Sequence, residues 1–321
     1  MYAASQNLLS SASYGMQILH AKGGQIIFND YIEDTPFTYL GIQAQNPTPK
    51  ISYRFGFLAE HDSLGHFRHH NVLRYNSDGE AYPKMLGPKK NGNFYYTGAT
   101  DNSNNALLYE LDSGGNLVWN KILYAYNGVN SNGTTLFNTA IDDSENLYFV
   151  FCCHGDVNIL GKNLNYSTDS NFILIVKADS AGNMIWYKPF CNWKYQSTQY
   201  SYYPGIYSNI EPVDVKIFID HSGCVHFWGN SAIGLTIGNN NHQPKYQNDI
   251  LVGKLNPDGS LAWNSFFDAN FNTIAINDYD HKLSGSLDDS ANLFIQVFFK
   301  GNATFGKVKL AGTPYFFPCH H

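Results

Sequence analysis

Glu60-His-Asp-Ser-Leu-Gly65-His, Glu110-Leu-Asp-Ser-Gly-Gly115-Asn, Lys177-Ala-Asp-Ser-Ala-Gly182-Asn and Lys254-Leu-Asn-Pro-Asp-Gly259-Ser are four copies of one turn. Each follows an apolar run: Phe55 to Leu58, Ala106 to Tyr109, Phe172 to Val176 and Ile250 to Val252. Three of them lead, four residues past the glycine, to Trp119, Trp186 and Trp263. An Asp or Asn at the start of such a turn bonds the backbone ahead of it, and the glycine takes the left-handed conformation that a short bulged loop requires. Each copy therefore predicts a β-hairpin.

A second series lies upstream of these hairpins. Asp142-Asp-Ser-Glu-Asn146, Asp220-His-Ser-Gly-Cys224 and Asp288-Asp-Ser-Ala-Asn292 each open an aliphatic-aromatic strand, with weaker versions at Asn91-Gly-Asn93 and Gly23-Gly-Gln25. Short segments between the two series, 158–164, 235–238 and 303–310, are expected to supply another strand. One unit then reads as four short antiparallel strands. Five units follow, at approximately 17–72, 73–124, 137–190, 214–267 and 282–318. Four-stranded repeats of this length predict an all-β fold, a β-propeller of about five blades in a single domain, 1–321. Each unit buries its apolar faces against its neighbours. The fifth unit stops before any second hairpin, and the segment 1–13 is expected to complete its sheet and remove an open strand edge.

The residues resemble a known family, the β-propeller repeats named for seven blades that occur in bacterial secreted and surface proteins, especially those of Bacteroidetes. The resemblance rests on Asp142 to Val150 with Ile173 to Trp186, Asp220 to Trp228 with Ile250 to Trp263, and Asp288 to Ile295 with Thr304-Phe305-Gly306. It covers 90–310 well and the preceding residues thinly, where His69 stands in place of the repeat's Trp. It implies a propeller with a surface or secreted habit, and it carries no catalytic motif.

Composition points the same way, since aromatics make up 16% of the chain and charged residues only 14%. The net charge of −6 argues against a nucleic-acid partner, which needs a basic stripe. No run approaches the ~20 apolar residues of a membrane span. Residues 1–24 lack the charged start and apolar core of a secretory signal, which tilts the expected setting from a secreted surface protein toward a virion component. Cys152, Cys153, Cys191, Cys224 and Cys319 are odd in number and lack metal-ligand spacing. Cys152 and Cys153 are expected on opposite faces of one strand, as packed thiols.

Function is read from what remains. Trp119, Trp186 and Trp263, one per unit, are expected to pack between blades. The segment from Cys191 to Tyr207 is long and aromatic, and Trp193, Tyr195, Tyr200, Tyr202, Tyr203 and Tyr207 offer broad contact area with polar tips. These six are the candidate contacts for a glycan or a protein partner. His66 and His70 share a strand face that His69 leaves, so no three-ligand zinc set forms locally, and the Asp-rich turns lack the bidentate Glu of a calcium loop. No cofactor and no catalytic residue is assigned. The expectation is a non-catalytic structural or adhesive module, extracellular, on a cell surface or on a virion, able to self-associate. The alternative is a propeller glycoside hydrolase, which needs two carboxylates about 5 to 9.5 Å apart in one pocket.

Overall fold

A computed structural model describes residues between 17 and 311; the longest stretches outside the description are 1–16, 45–53, 74–83, 126–133, 195–212, 268–283 and 312–321. Every regular element among the described residues is a β-strand. In chain order they are β1 (Gln17–His20), β2 (Ile26–Glu33), β3 (Phe37–Tyr39), β4 (Ile42–Ala44), β5 (Arg54–His61), β6 (Phe67–Leu73), β7 (Lys84–Pro88), β8 (Phe94–Ala99), β9 (Ala106–Leu111) and β10 (Leu117–Ala125). Then come β11 (Thr135–Ile141), β12 (Leu147–His154), β13 (Val157–Ile159), β14 (Lys162–Leu164), β15 (Ser170–Ala178) and β16 (Met184–Lys194). The rest are β17 (Val213–Ile219), β18 (Val225–Ser231), β19 (Leu235–Ile237), β20 (Asn240–His242), β21 (Asp249–Leu255), β22 (Leu261–Phe267), β23 (Ser284–Leu287), β24 (Leu293–Gln296), β25 (Asn302–Phe305) and β26 (Val308–Ala311).

Four antiparallel meanders dominate: β1-β2-β5-β6, β7-β8-β9-β10, β11-β12-β15-β16 and β17-β18-β21-β22. The described turns of the second, third and fourth meanders, and that of the β23-β24 hairpin, obey one rule. In the first turn the backbone N–H of Lys89, Asp142, Asp220 or Asp288 bonds the carbonyl four residues on, and in the second that of Asp112, Asp179 or Asn256 does the same. The residue three along then needs positive φ, which Gly92, Gly182, Gly223 and Gly259 adopt at little steric cost. Glu145 and Ala291 adopt it too, at φ 64° and 61°.

The make-up of a unit differs from the expected one. The fourth strand of each meander comes from the residues before the first turn (β7, β11, β17). The short segments after the second strand instead fold as separate hairpins, β13-β14 and β19-β20, and these attach to the last strand of the preceding meander, through Tyr124↔Ile159 and Asn192↔Thr236. Alternation hid this. A three-residue strand with two buried positions, as in Val157–Ile159 and Leu235–Ile237, reads the same whether it pairs within its own sheet or with the neighbouring one.

The chain divides into two compact units, Met1–Ser131 with Val157–Leu164, and Asn132–Asp156 with Asn165–His321. In the first, Phe94, Tyr95, Tyr96, Leu108 and Leu123 are buried in the second meander. In the other, one face of the third meander (Tyr148, Val150, Cys152, Ile173, Ile175) packs against one face of the fourth (Val215, Ile217, Val225, Phe227, Leu251). Burying each such side chain contributes about 1.5–3 kcal/mol. The opposite face of the fourth meander, with Trp228, Ile250 and Val252, covers Leu293 and Ile295 of β24. Cys152 and Cys153 do face opposite ways, and together with Cys224 they are buried thiols.

Candidate functional site

The polar side chains of the repeat converge on one row that crosses the second, third and fourth meanders beside the first turn of each. In the second meander the row is Tyr95, Glu110 and Trp119; in the third it is Tyr148, Lys177 and Trp186; in the fourth it is His226, Lys254 and Trp263. Register makes these sets equivalent, because each trio consists of directly opposed residues on consecutive strands. The turn contributes a fourth member: Lys89, Asp142 and Asp220 respectively.

In the third meander Asp142 is a hub. Its Oδ1 accepts the N–H groups of Ser144 and Asn146 at 2.9 and 2.8 Å, and its Oδ2 accepts Asn146 Nδ2 at 2.8 Å and the Tyr148 hydroxyl at 3.0 Å. Lys177 Nζ lies 3.7 Å from the same oxygen and 5.0 Å from the Tyr148 ring centroid. Burial, with Asp142 second, holds the Tyr148 hydroxyl far above its ordinary value, so it stays a donor.

The second meander runs the same device with reversed charge. Glu110, 4% exposed, accepts both Lys89 contacts at 3.1 Å, Asn93 Nδ2 at 2.6 Å and the Trp119 indole at 2.7 Å. Burial pushes its carboxyl up, but the bonds from Asn93, Lys89 and Trp119 outweigh that and hold it below the ordinary range.

The fourth meander departs from the pattern at two places: at the end of the turn Cys224 stands where Asn146 stands, and on β18 His226 stands where Tyr148 stands. Asp220 Oδ1 accepts Ser222 Oγ at 2.6 Å and the N–H groups of Ser222 and Cys224 at 3.0 Å. Its Oδ2 accepts His226 Nε2 at 2.9 Å and Lys254 Nζ at 3.0 Å. Burial opposes the charge on Asp220, yet Ser222, His226 and Lys254 together hold it far below the ordinary carboxylate range. Beside it an open pocket of about 420 Å³ is lined by Asp220, His221, Ser222, Lys254, Asp288 and Asp289 among others. His221 Nδ1 meets Asp143 Oδ2 at 2.6 Å, joining the first turns of the third and fourth meanders.

The row also ties neighbouring meanders together. Trp186 is half-buried, its indole N–H donates to the Pro257 carbonyl at 3.0 Å, and Tyr148 meets its ring edge-on. It packs between blades as expected. Trp263 does not: it is 45% exposed, because the second-hairpin turn that covers Trp186 has no counterpart over it among the described residues. The described partners of Trp119, namely Glu110, Tyr95 and Lys121, lie in its own meander.

Of the six candidate contact residues, Trp193 lies on β16, paired with Asn171, so the sheet continues through Cys191–Lys194 into what the sequence suggested was all loop. Tyr195, Tyr200, Tyr202, Tyr203 and Tyr207 lie outside the described residues. Among the described residues no group of three His, Cys, Asp or Glu side chains is placed to hold a metal ion, and no helix is long and apolar enough to cross a membrane.

Sequence reasoning passed over the ion-paired row. The signal was in the hairpin signature itself, where Glu110, Lys177 and Lys254 sit two residues before the turn's Asp or Asn, but pairing a strand charge with a turn charge of the preceding hairpin needs the register.

No family model and no curated protein matches the chain. Solved structures that resemble it weakly include the following two. One is a member of the DUF4221 family from Bacteroides vulgatus, at 13% identity over 87% of this chain and 92% of that one, with a TM-score of 0.29. The other is the β-propeller domain of the Trilobed protease from Pyrococcus furiosus, described as having an open velcro topology, at 6% identity over 94% and 84%, with a TM-score of 0.38.

Proposed function

We propose that the chain is a non-catalytic β-propeller module, structural or adhesive, on a virion or cell surface, that recognises a glycan or a neighbouring protein through the aromatic segment from Trp193 to Tyr207. One observation carries the non-catalytic part: the repeat's carboxylates are consumed in holding turns. Asp112, Asp142, Asp179, Asp220 and Asp288 each accept the backbone N–H four residues on, and Glu110 is saturated by three side-chain donors. A general acid needs a raised carboxyl aimed into a cleft. Asp220 and Glu110 are held in the opposite direction.

The binding part is supported by the composition of 195–207, where five tyrosines interrupt a connection between two meanders. The test is a folded variant with Tyr200, Tyr202 and Tyr203 changed to Ser, compared with the wild type on a glycan array and against surface proteins of the same particle or cell. Loss of binding supports the assignment. Full retention in a folded variant removes it, and turnover of a glycoside by the wild type removes the non-catalytic reading.

A further inference from the structure

We propose that the second meander closes its first turn covalently, by an amide between Lys89 Nζ and Asn93 Cγ that forms with Glu110 as proton carrier and ammonia as leaving group. Lys89 and Asn93 stand opposite each other at the neck of that turn, one step beyond the pair Pro88↔Phe94, and the Lys89 backbone N–H donates to the Asn93 carbonyl at 2.6 Å. Opposed residues of an antiparallel pair project to the same face. From there both side chains reach one carboxylate on β9.

Glu110 Oε1 accepts Lys89 Nζ at 3.1 Å and Asn93 Nδ2 at 2.6 Å. One oxygen thus touches both the amine that attacks and the nitrogen that leaves, which is the contact a proton carrier needs. Its twin, Oε2, accepts Lys89 Nζ at 3.1 Å and the Trp119 indole at 2.7 Å, which fixes the carboxylate in place. Water is largely held off, since the side chains of Lys89 and Glu110 are 12% and 5% exposed and the buried Tyr95 ring lies 5.3 Å from the ammonium. Groups fixed side by side in this way react as if at concentrations far above any reached in solution.

Glu110 takes one proton from the Lys89 ammonium, and the electron pair of the free amine forms the Nζ–Cγ bond. The acid then hands its proton to Nδ2 and collects the second proton from Nζ. The Cγ–Nδ2 bond breaks with its electron pair on nitrogen, and ammonia departs with that last proton as ammonium. Glu110 is a carboxylate again, and nothing is oxidised or reduced. The bonds that hold Glu110 ionised make the free amine the minor form, so the link forms slowly. It forms once per chain and involves no outside substrate, which leaves the non-catalytic reading of the propeller as it stands.

The other two rows each lack a part. Lys177 Nζ stands back at 3.7 Å from the Asp142 oxygen that accepts Asn146 Nδ2. In the fourth row Lys254 meets Asp220 at 3.0 Å, but Cys224 stands where the amide would be.

The experiment follows the intact mass of the full folded chain during incubation at neutral pH and then maps the linked peptides. The wild type is expected to become lighter by one ammonia, with residues 89 and 93 joined, and Glu110→Gln should slow this at least about a hundredfold. Asn93→Ala should fold and never form the link. If Glu110→Gln does not fold, the comparison of Asn93→Ala with the wild type decides. A wild type whose mass never changes overturns the proposal. So does an ammonia loss that maps to Asn91, where the Asn91-Gly92 sequence can close a succinimide through the Gly92 N–H.

Discussion

Lys89 Nζ lies 3.1 Å from the Glu110 carboxylate, in the same two places of the second meander that Asp142 and Lys177 hold in the third. The cation has moved from strand to turn and the anion from turn to strand. A tyrosine remains beneath the ammonium in both, Tyr95 at 5.3 Å and Tyr148 at 5.0 Å from the ring centroid. What is retained is a charge pair over a ring, which fixes the first turn against the third strand. A device that tolerates reversal of sign serves packing, since a catalytic carboxylate has to sit where its proton is needed.

Acid should weaken the fold through these pairs. Glu110 and Asp220 titrate below their ordinary values of 4.5 and 3.8 in the folded chain, so the unfolded chain binds protons first as pH falls. Their contribution is complete above those values and is lost as pH falls through the lower, folded ones. Urea midpoints measured from about pH 6 to about pH 3 should fall, and fall less in Asp220→Asn. A flat profile for the wild type would contradict the assignment.

Glu145 and Ala291 hold a left-handed backbone that costs a residue with a Cβ roughly 1 kcal/mol or more. Glu145→Gly and Ala291→Gly should therefore leave stability unchanged or raise it by up to about 1 kcal/mol, although glycine substitutions normally destabilise. Thermal unfolding of the two variants checks this, and a loss above that size would show that the turns are not strained.

The tryptophans should separate in stability measurements. Trp186→Ala loses ring packing and the bond to the Pro257 carbonyl, at a cost of about 2–4 kcal/mol, whereas the exposed Trp263→Ala should cost about 1 kcal/mol or less. Trp186→Phe isolates the hydrogen bond at about 0.5–1.5 kcal/mol. Equal costs for the two alanine variants would deny Trp186 its bridging place.

Gly253 on β21 is a close-approach position. An added Cβ would meet the Phe227 ring and lie 2.7 Å from the Trp263 carbonyl oxygen, so Gly253→Ala should overpack the sheet by about 1–3 kcal/mol. Chemical denaturation measures it, and a neutral result would mean that Phe227 moves aside without cost.

The turns were legible in the sequence because their chemistry is local: an Asp that accepts the N–H four residues on, and a left-handed position that glycine usually fills. The strands before Asp142 and Asp220 were not, since Thr135–Ile141 and Val213–Ile219 carry no turn signature of their own. Hairpin β19-β20 could not be assigned to the preceding sheet because its tie to β16 is one residue pair, Asn192↔Thr236, between positions far apart in sequence. The position of Trp186 shows the same limit. Its spacing announces a packing residue, but the partner, Pro257, is the next unit's turn, and only the fold brings it there.

The equivalence of the reversed pairs is the central claim, and a double-mutant cycle on Lys89→Asp and Glu110→Lys tests it most directly. Each single change places like charges together in a largely buried pair and should cost about 2–4 kcal/mol. The double variant recreates the arrangement of Asp142 and Lys177 and should recover most of that loss, with a favourable coupling of at least about 1 kcal/mol. A double variant as unstable as the sum of the singles would show that the rows are not one device.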